Sequence, residues 1–232
     1  MGRPALVVDA VLFDCDGVLV DVNAAVEARW RAFARENGID ADMVAARAHG
    51  RRAVDHVAAV APELDAEAEA ARIEEGEIED AVGATAHRGA VAAFSAVPYG
   101  RRAVVSSSGP RLLRRRLRAA GIPPAPVLID GAADLPGKPR PDPYLRAACE
   151  LGVRPERCLV VEDAVDGVRA GRAAGAAVIG VGPNARALAA AGTLATVDDL
   201  RGVQFRPAEP AGAVAVVLTE ATASSTSARL PM

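Results

Sequence analysis

A chain of 232 residues can build one sizeable hydrophobic core, with room for a small second domain. It is 51% apolar and 25% charged with a net charge of -3, which argues against a basic clamp for nucleic acid and against an acidic disordered tail. Asp9 interrupts the first apolar run and Leu6 stands where a myristoylation signal needs a hydroxyl, so neither a membrane span nor a lipid anchor is expected; Cys15, Cys149 and Cys158 lack metal-ligand spacing, and a reduced cytoplasmic setting follows.

Residues 5–13 form an apolar, β-branched run that reads as a buried strand and ends on Asp14. Asp14-Cys15-Asp16-Gly17 follows at its exit. Two carboxylates so spaced can divide the work of a nucleophile and an acid/base, although an Asx turn bent by Gly17 would look the same. Residues 21–85 change character. Val22, Val26, Trp30 and Phe33 recur at helical spacing, Gly38 stops that helix, and alanine- and glutamate-rich helical segments follow. This stretch reads as a small helical domain inserted after the first strand, leaving 1–20 and 86–205 as a discontinuous core. Its His49-Gly50-Arg51-Arg52 turn is a candidate contact, since Gly50 permits close approach and an arginine there can donate several hydrogen bonds, although a solvated turn would look the same. His56 and His87 have no partner spacing and read as packing or surface residues.

From about residue 88 to 200, apolar runs at 103–106, 126–129, 158–161 and 176–181 alternate with helical patterns. Gly109-Pro110 opens one helix that Gly121 closes, Asp142-Pro143 opens another that Gly152 closes, and Asp163 precedes a third that ends at Gly175. That alternation predicts an α/β fold, a Rossmann-like parallel sheet with helices on both faces. Three further polar clusters sit at strand exits. Ser106-Ser107-Ser108, opening a helix, offers hydroxyls and free N–H groups to an anion. Gly137-Lys138-Pro139-Arg140-Pro141-Asp142-Pro143 holds one cation in a proline-stiffened loop. Glu162-Asp163 offers oxygen ligands to a hard cation, or alternatively caps a helix through Asp163.

Lysine and arginine total 27, and Lys138 is the single lysine. A position that keeps a compact ammonium in an arginine-rich chain points to a site that a flat guanidinium does not fit. Gly180-Val181-Gly182-Pro183-Asn184-Ala185 matches a dinucleotide fingerprint, but it falls in the last βα unit and reads as a plain turn. Beyond Leu200, Gly202–Phe205 and Ala213–Leu218 read as a terminal hairpin around 207–212; residues 206–232 are set apart as terminal strand or hairpin and loose tail.

The ordered set D-x-D-G-V-L-V-D, V-V-S-S-S-G, G-K-P-R-P-D-P-Y and V-V-E-D-A-x-x-G-V-x-A-G resembles the haloacid dehalogenase-like hydrolase superfamily. Within it the chain is similar to the helical-cap sugar-phosphate and glycerol-phosphate phosphatases and to β-phosphoglucomutase. The resemblance implies Asp14 as nucleophile and Asp16 as acid/base, with Ser106 and Lys138 holding the transferring phosphoryl and Ser107, Ser108, His49 and Arg52 as substrate-binding residues. It implies Mg2+ held by Asp14, the Asp16 carbonyl and Asp163, with Glu162 as a water-mediated ligand or support. The expected enzyme is a phosphoric monoester hydrolase acting on a small phosphorylated metabolite, as a monomer or weak dimer. Asp16 and Asp163 argue against dehalogenation, and residues 21–88 lack the lysine that a phosphonate-cleaving relative needs. A phosphomutase and a non-catalytic binding homologue stand as the alternatives.

Overall fold

Asp9 divides the first apolar run in two. The computed structural model describes residues 6–219, in which β1 (Leu6–Val8) and β2 (Ala10–Phe13) belong to different sheets. The single strand expected over 5–13 is thus corrected. Asp9 donates its N–H to the Arg157 carbonyl (2.7 Å), and its carboxylate pairs with the Arg157 guanidinium (2.9 Å), so the charge breaks the ladder where it meets its partner. The expected tail beyond 219 lies outside the described residues.

After β2 the chain forms β3 (Val20–Asp21), then α1 (Asn23–Glu36), α2 (Ala41–Ala45), α3 (Ala53–Val60) and α4 (Ala66–Asp80). It returns through β4 (Thr85–Ala86), α5 (Ala90–Ala96), β5 (Arg102–Val105), α6 (Pro110–Ala119), β6 (Val127–Ile129) and α7 (Asp142–Glu150). β7 (Cys158–Glu162), α8 (Val165–Ala173), β8 (Ala177–Val181), α9 (Ala185–Ala191) and β9 (Ala195–Val197) complete the alternation; β10 (Val203–Ala208) and β11 (Ala213–Leu218) end it.

Six strands pair in parallel in the order β6-β5-β2-β7-β8-β9. All four residues of β2 are buried, and the pleat sends Ala10 and Leu12 to one face, Val11 and Phe13 to the other. Helices α7, α8 and α9 cover the first face through Tyr144, Val168 and Leu188; α5 and α6 cover the second through Phe94 and Leu113. There Phe13 meets Phe94 and Phe205 edge-on, at 5.1 and 5.7 Å. Phe205 comes from β10, which with β11 and β1 makes a separate antiparallel sheet of three strands.

The helical insert α1–α4 is bracketed by β3 and β4, an antiparallel pair of two residues each that the sequence pattern does not announce. His87 N–H donates to the Leu19 carbonyl beside it (2.9 Å) and locks the two crossings together. Inside the insert Trp30 packs against Phe33 and His56, whose Nε2 meets the Val44 carbonyl at 2.9 Å, so His56 is a packing residue. The edge strand β9 is also unforeseen, being three residues long. No helix among the described residues is long and apolar enough to cross a membrane.

Candidate active site

Strand order sets the location. The chain leaves β2 for β5 and β6 on one side and later fills β7, β8 and β9 on the other, so the topological switch point lies at the carboxyl end of β2. Asp14 and Asp16 follow β2 there, Ser106 follows β5, Lys138 lies in the loop after β6, and Glu162 ends β7 with Asp163 next to it.

Lys138 is the hub. Its Nζ donates to Asp14 Oδ1 (2.5 Å), Glu162 Oε1 (2.7 Å) and the Val105 carbonyl (3.2 Å) with 1% of the side chain exposed. Burial opposes the ammonium, but the carboxylates of Asp14 and Glu162 outweigh it and hold Lys138 charged. Glu162 is fully buried and saturated: Oε1 also accepts from the Tyr144 hydroxyl (2.7 Å), and Oε2 accepts from the N–H of Asp163 (3.0 Å) and of Ala164 (3.1 Å). The helix-capping role that the sequence offers to Asp163 is not taken up: α8 has Ala164 at its N-cap and no side-chain cap, and Glu162 binds the two N–H groups that precede the helix. Asp163 instead accepts from Asn23 Nδ2 (3.3 Å) on α1.

Carboxylate oxygens of Asp14, Glu162 and Asp163 lie within 4.8 Å of one another. Burial pushes Asp163 up to about 8, with Glu162 adding repulsion. Asp14 is likewise driven up by burial, against the pull of Lys138. One ammonium among three crowded carboxylates leaves negative charge uncompensated, and a hard divalent cation suits that donor set. With Glu162 saturated, Asp14 and Asp163 are the side chains free to ligate. Gly17 keeps this corner open: at its φ of +79° a Cβ would fall 1.9 Å from Asp163 Oδ2.

Asp16 turns the opposite way. Its Oδ2 accepts from Arg116 Nη1 (2.7 Å) and Ser108 Oγ (2.9 Å), while Oδ1 is buried without a hydrogen-bond partner. Arg116 is 3% exposed, and its Nη2 reaches Glu77 Oε2 on α4 at 3.2 Å. Burial raises Glu77 to about 7 despite that guanidinium. Of the three serines, Ser106 is buried beside Lys138 and its Oγ accepts from Ser108 N–H (3.1 Å). Ser107 Oγ donates to the Gly50 carbonyl (2.9 Å), tying the insert to the core, and Ser108 serves Asp16.

Beneath the insert lies a small cavity of about 70 Å³, lined by Asp14 and Asp16 on the core side and by Trp30, His49, Glu74 and Glu77 on the other. His49 is therefore with the site. Arg52 lines a narrow side recess of only about 10 Å³ together with Ser106 and Lys138. Its fork grips Asp55 (2.7 and 2.8 Å) and reaches the Leu135 carbonyl (3.2 Å). Arg51 pairs with Asp166 at 2.6 Å. Arg116, Glu77, Tyr144 and Asn23 were missed at the sequence level. For Arg116 a signal existed: it takes a place on the apolar side of α6 with Leu112 and Leu113, where a charge needs a reason.

The polar groups thus converge at the switch point of a parallel sheet that carries a helical insert, an α/β arrangement of enzyme type. The chain belongs to the haloacid dehalogenase-like hydrolase family, whose profile matches residues 8–175. It is similar to hexitol phosphatase A of Escherichia coli (strain K12), 40% identical over 178 residues that make up 73% of this chain and 81% of that protein. It is similar also to glycerol-1-phosphate phosphohydrolase 1 of Saccharomyces cerevisiae, 32% identical over 76% of each chain. Among solved structures, a family hydrolase from Deinococcus radiodurans R1 with bound phosphate and sodium superposes with a TM-score of 0.60 at 32% identity, covering 84% of this chain and 92% of that one. These relatives indicate the phosphoric monoester hydrolase expected from the sequence.

Proposed function

We propose that the protein is a magnesium-dependent phosphatase that hydrolyses the phosphate ester of a small sugar or polyol through an aspartyl phosphate on Asp14. One observation carries the reading: the Asp14 carboxylate is buried at the switch point, fixed by Lys138 on one side and crowded by acidic neighbours on the other. The names of the two phosphatase relatives, one acting on a hexitol phosphate and one on glycerol 1-phosphate, support the substrate class.

In the first step an Asp14 oxygen attacks phosphorus in line, the Asp14 O–P bond forms and the ester P–O bond breaks. Asp16 gives its proton to the departing alkoxide. In the second step water attacks phosphorus, its proton passes to Asp16, and the Asp14 carboxylate is released with inorganic phosphate. Ser106 and Lys138 hold the phosphoryl oxygens as charge shifts among them. Asp14, the Asp16 carbonyl and Asp163 would hold magnesium, which would supply positive charge to offset repulsion between phosphate and carboxylate. Glu162 positions Lys138 rather than ligating. His49 reads the alcohol portion from the cavity wall, while Arg52 steadies the insert against the loop that carries Lys138, a role beside the binding one first expected for it.

A phosphomutase would hand the same phosphoryl group to a sugar hydroxyl instead of water. A non-catalytic homologue has no need for so complete a set. Phosphate release over a panel of sugar and polyol monophosphates with magnesium tests all three readings. Release from the panel is expected from wild type and not from a folded Asp14→Asn variant; isomerisation without release would favour the mutase, and no turnover the binding homologue.

A further inference from the structure

Asp16 is held by only one of its two oxygens. Oδ2 accepts from Arg116 and from Ser108 Oγ, and Arg116 Nη1 also approaches Ser108 Oγ at 2.9 Å, so three groups form a closed triangle around that atom. Oδ1 is buried, has no hydrogen-bond partner, and belongs to a carboxylate that lines the cavity. A carboxyl group clamped in this way has one free oxygen with one fixed direction. Arg116 is itself clamped from the opposite domain, since Glu77 belongs to α4 of the insert while Arg116 belongs to α6 of the core. Arg116 and Glu77 lie 39 residues apart in sequence, and both partners are nearly buried, at 3% and 12% side-chain exposure.

We infer that Arg116 is a positioning residue for leaving-group protonation: with Ser108 it fixes Asp16 so that Oδ1 meets the ester oxygen, and Glu77 ties that clamp to the helical insert. The inference rests on the phosphatase reading above. Arg116 touches neither phosphorus nor the leaving oxygen. It acts through the direction of one proton, from Asp16 Oδ1 to the alkoxide oxygen as the ester P–O bond breaks. An alkyl ester needs that proton, because an alkoxide is a poor leaving group. A p-nitrophenyl ester does not, because its phenolate departs unprotonated. The clamp therefore matters for one substrate and little for the other, whereas a merely structural role would affect both.

The test compares kcat/KM for glycerol 1-phosphate and for p-nitrophenyl phosphate, since that ratio stops at the first phosphoryl transfer and is blind to the shared second step. Arg116→Lys keeps a buried cation but lacks the fork needed to reach Asp16, Ser108 and Glu77 together. It should lose at least about tenfold on the alkyl ester, a part of the usual yield of a placed general acid, and no more than about threefold on the aryl ester. Ser108→Ala removes one side of the triangle in a variant with little reason to misfold, and the same split is expected at smaller size. Equal losses on both esters in both variants would reduce the tie to cap–core packing and overturn the inference, as would wild-type kinetics in Arg116→Lys. A wild-type enzyme that released phosphate from the aryl ester alone would also overturn it while sparing the Asp14 chemistry. Turnover retained by Asp14→Asn would instead sink the phosphatase reading itself.

Discussion

Lys138 is the cation on which the buried acidic cluster turns. A lone lysine among so many arginines suggested a site that rejects guanidinium, and its surroundings give the physical reason. Three acceptors converge on one nitrogen at 2.5, 2.7 and 3.2 Å inside a wall that leaves 1% of the side chain exposed. An ammonium satisfies three acceptors arranged about a point; a planar fork of five N–H groups cannot do so without displacing Asp14 or Glu162. Lys138→Arg should therefore fold and yet lose at least about tenfold in kcat, roughly 1.4 kcal/mol of transition-state stabilisation. Near-normal kinetics would show that any cation serves. Tyr144, whose hydroxyl holds the same Glu162 oxygen at 2.7 Å, narrows the space further from the side of α7.

At the scale of elements, the turn from β7 into α8 binds structure to chemistry most tightly. Glu162 ends the strand, accepts from the first two N–H groups after it and carries Lys138. Gly167 lies one turn further on, where an added Cβ would fall 1.8 Å from Glu162 Oε1. Gly167→Ala, mild in most helices, should push Glu162 off Lys138, destabilise the fold by roughly 1–3 kcal/mol through overpacking and reduce turnover at least about tenfold. Thermal melting and steady-state assays would check both parts, and an unchanged rate would show that Glu162 tolerates displacement. The glycine itself was legible in the G-V-x-A-G ending of the last motif, as were the helices punctuated by Gly-Pro and Asp-Pro and the long apolar strands. β3 and β4, two residues each, carry too little periodicity to read, and β9 (Ala195–Val197) lies in a stretch without an extended apolar run, unlike the equally short β6. The break at Asp9 was visible as a charge in an apolar run, but its partner Arg157 lies 148 residues away and only the fold brings it near. Arg116 shares the spacing of Leu112 and Leu113 on the inward side of α6, a signal masked by the four other arginines of that helix.

The whole molecule can be read as a device for holding like charges together. A parallel sheet brings Asp14, Asp16, Glu162 and Asp163 from two strand ends to one edge, against the cations of Lys138 and Arg116. The surplus negative charge weakens the fold, and the sign can be worked out for Asp163. Its ordinary value is 3.8 and burial lifts it to about 8 in the folded chain. Below about pH 4 both folded and unfolded chains keep the proton, and the group exacts no penalty. Between about 4 and 8 the unfolded chain releases the proton while the folded one retains it, so stability falls as pH rises across that window and levels off above it. A bound divalent cation needs the ionised carboxylate and must displace that proton, so its affinity rises with pH over the same range. Melting curves at pH 6 and pH 8, each in EDTA and with excess magnesium, test this without any assay of turnover. In EDTA the midpoint should drop from pH 6 to pH 8. The gain on adding magnesium should be larger at pH 8, about 5–10 °C at a hundredfold excess over Kd, from a linkage of about 2.7 kcal/mol in a chain of this size. Asp163→Asn should remove most of the pH dependence of that gain, because the amide has no proton to displace. An equal gain at both pH values, or none at either, would refute the assignment of Asp163 to the cation.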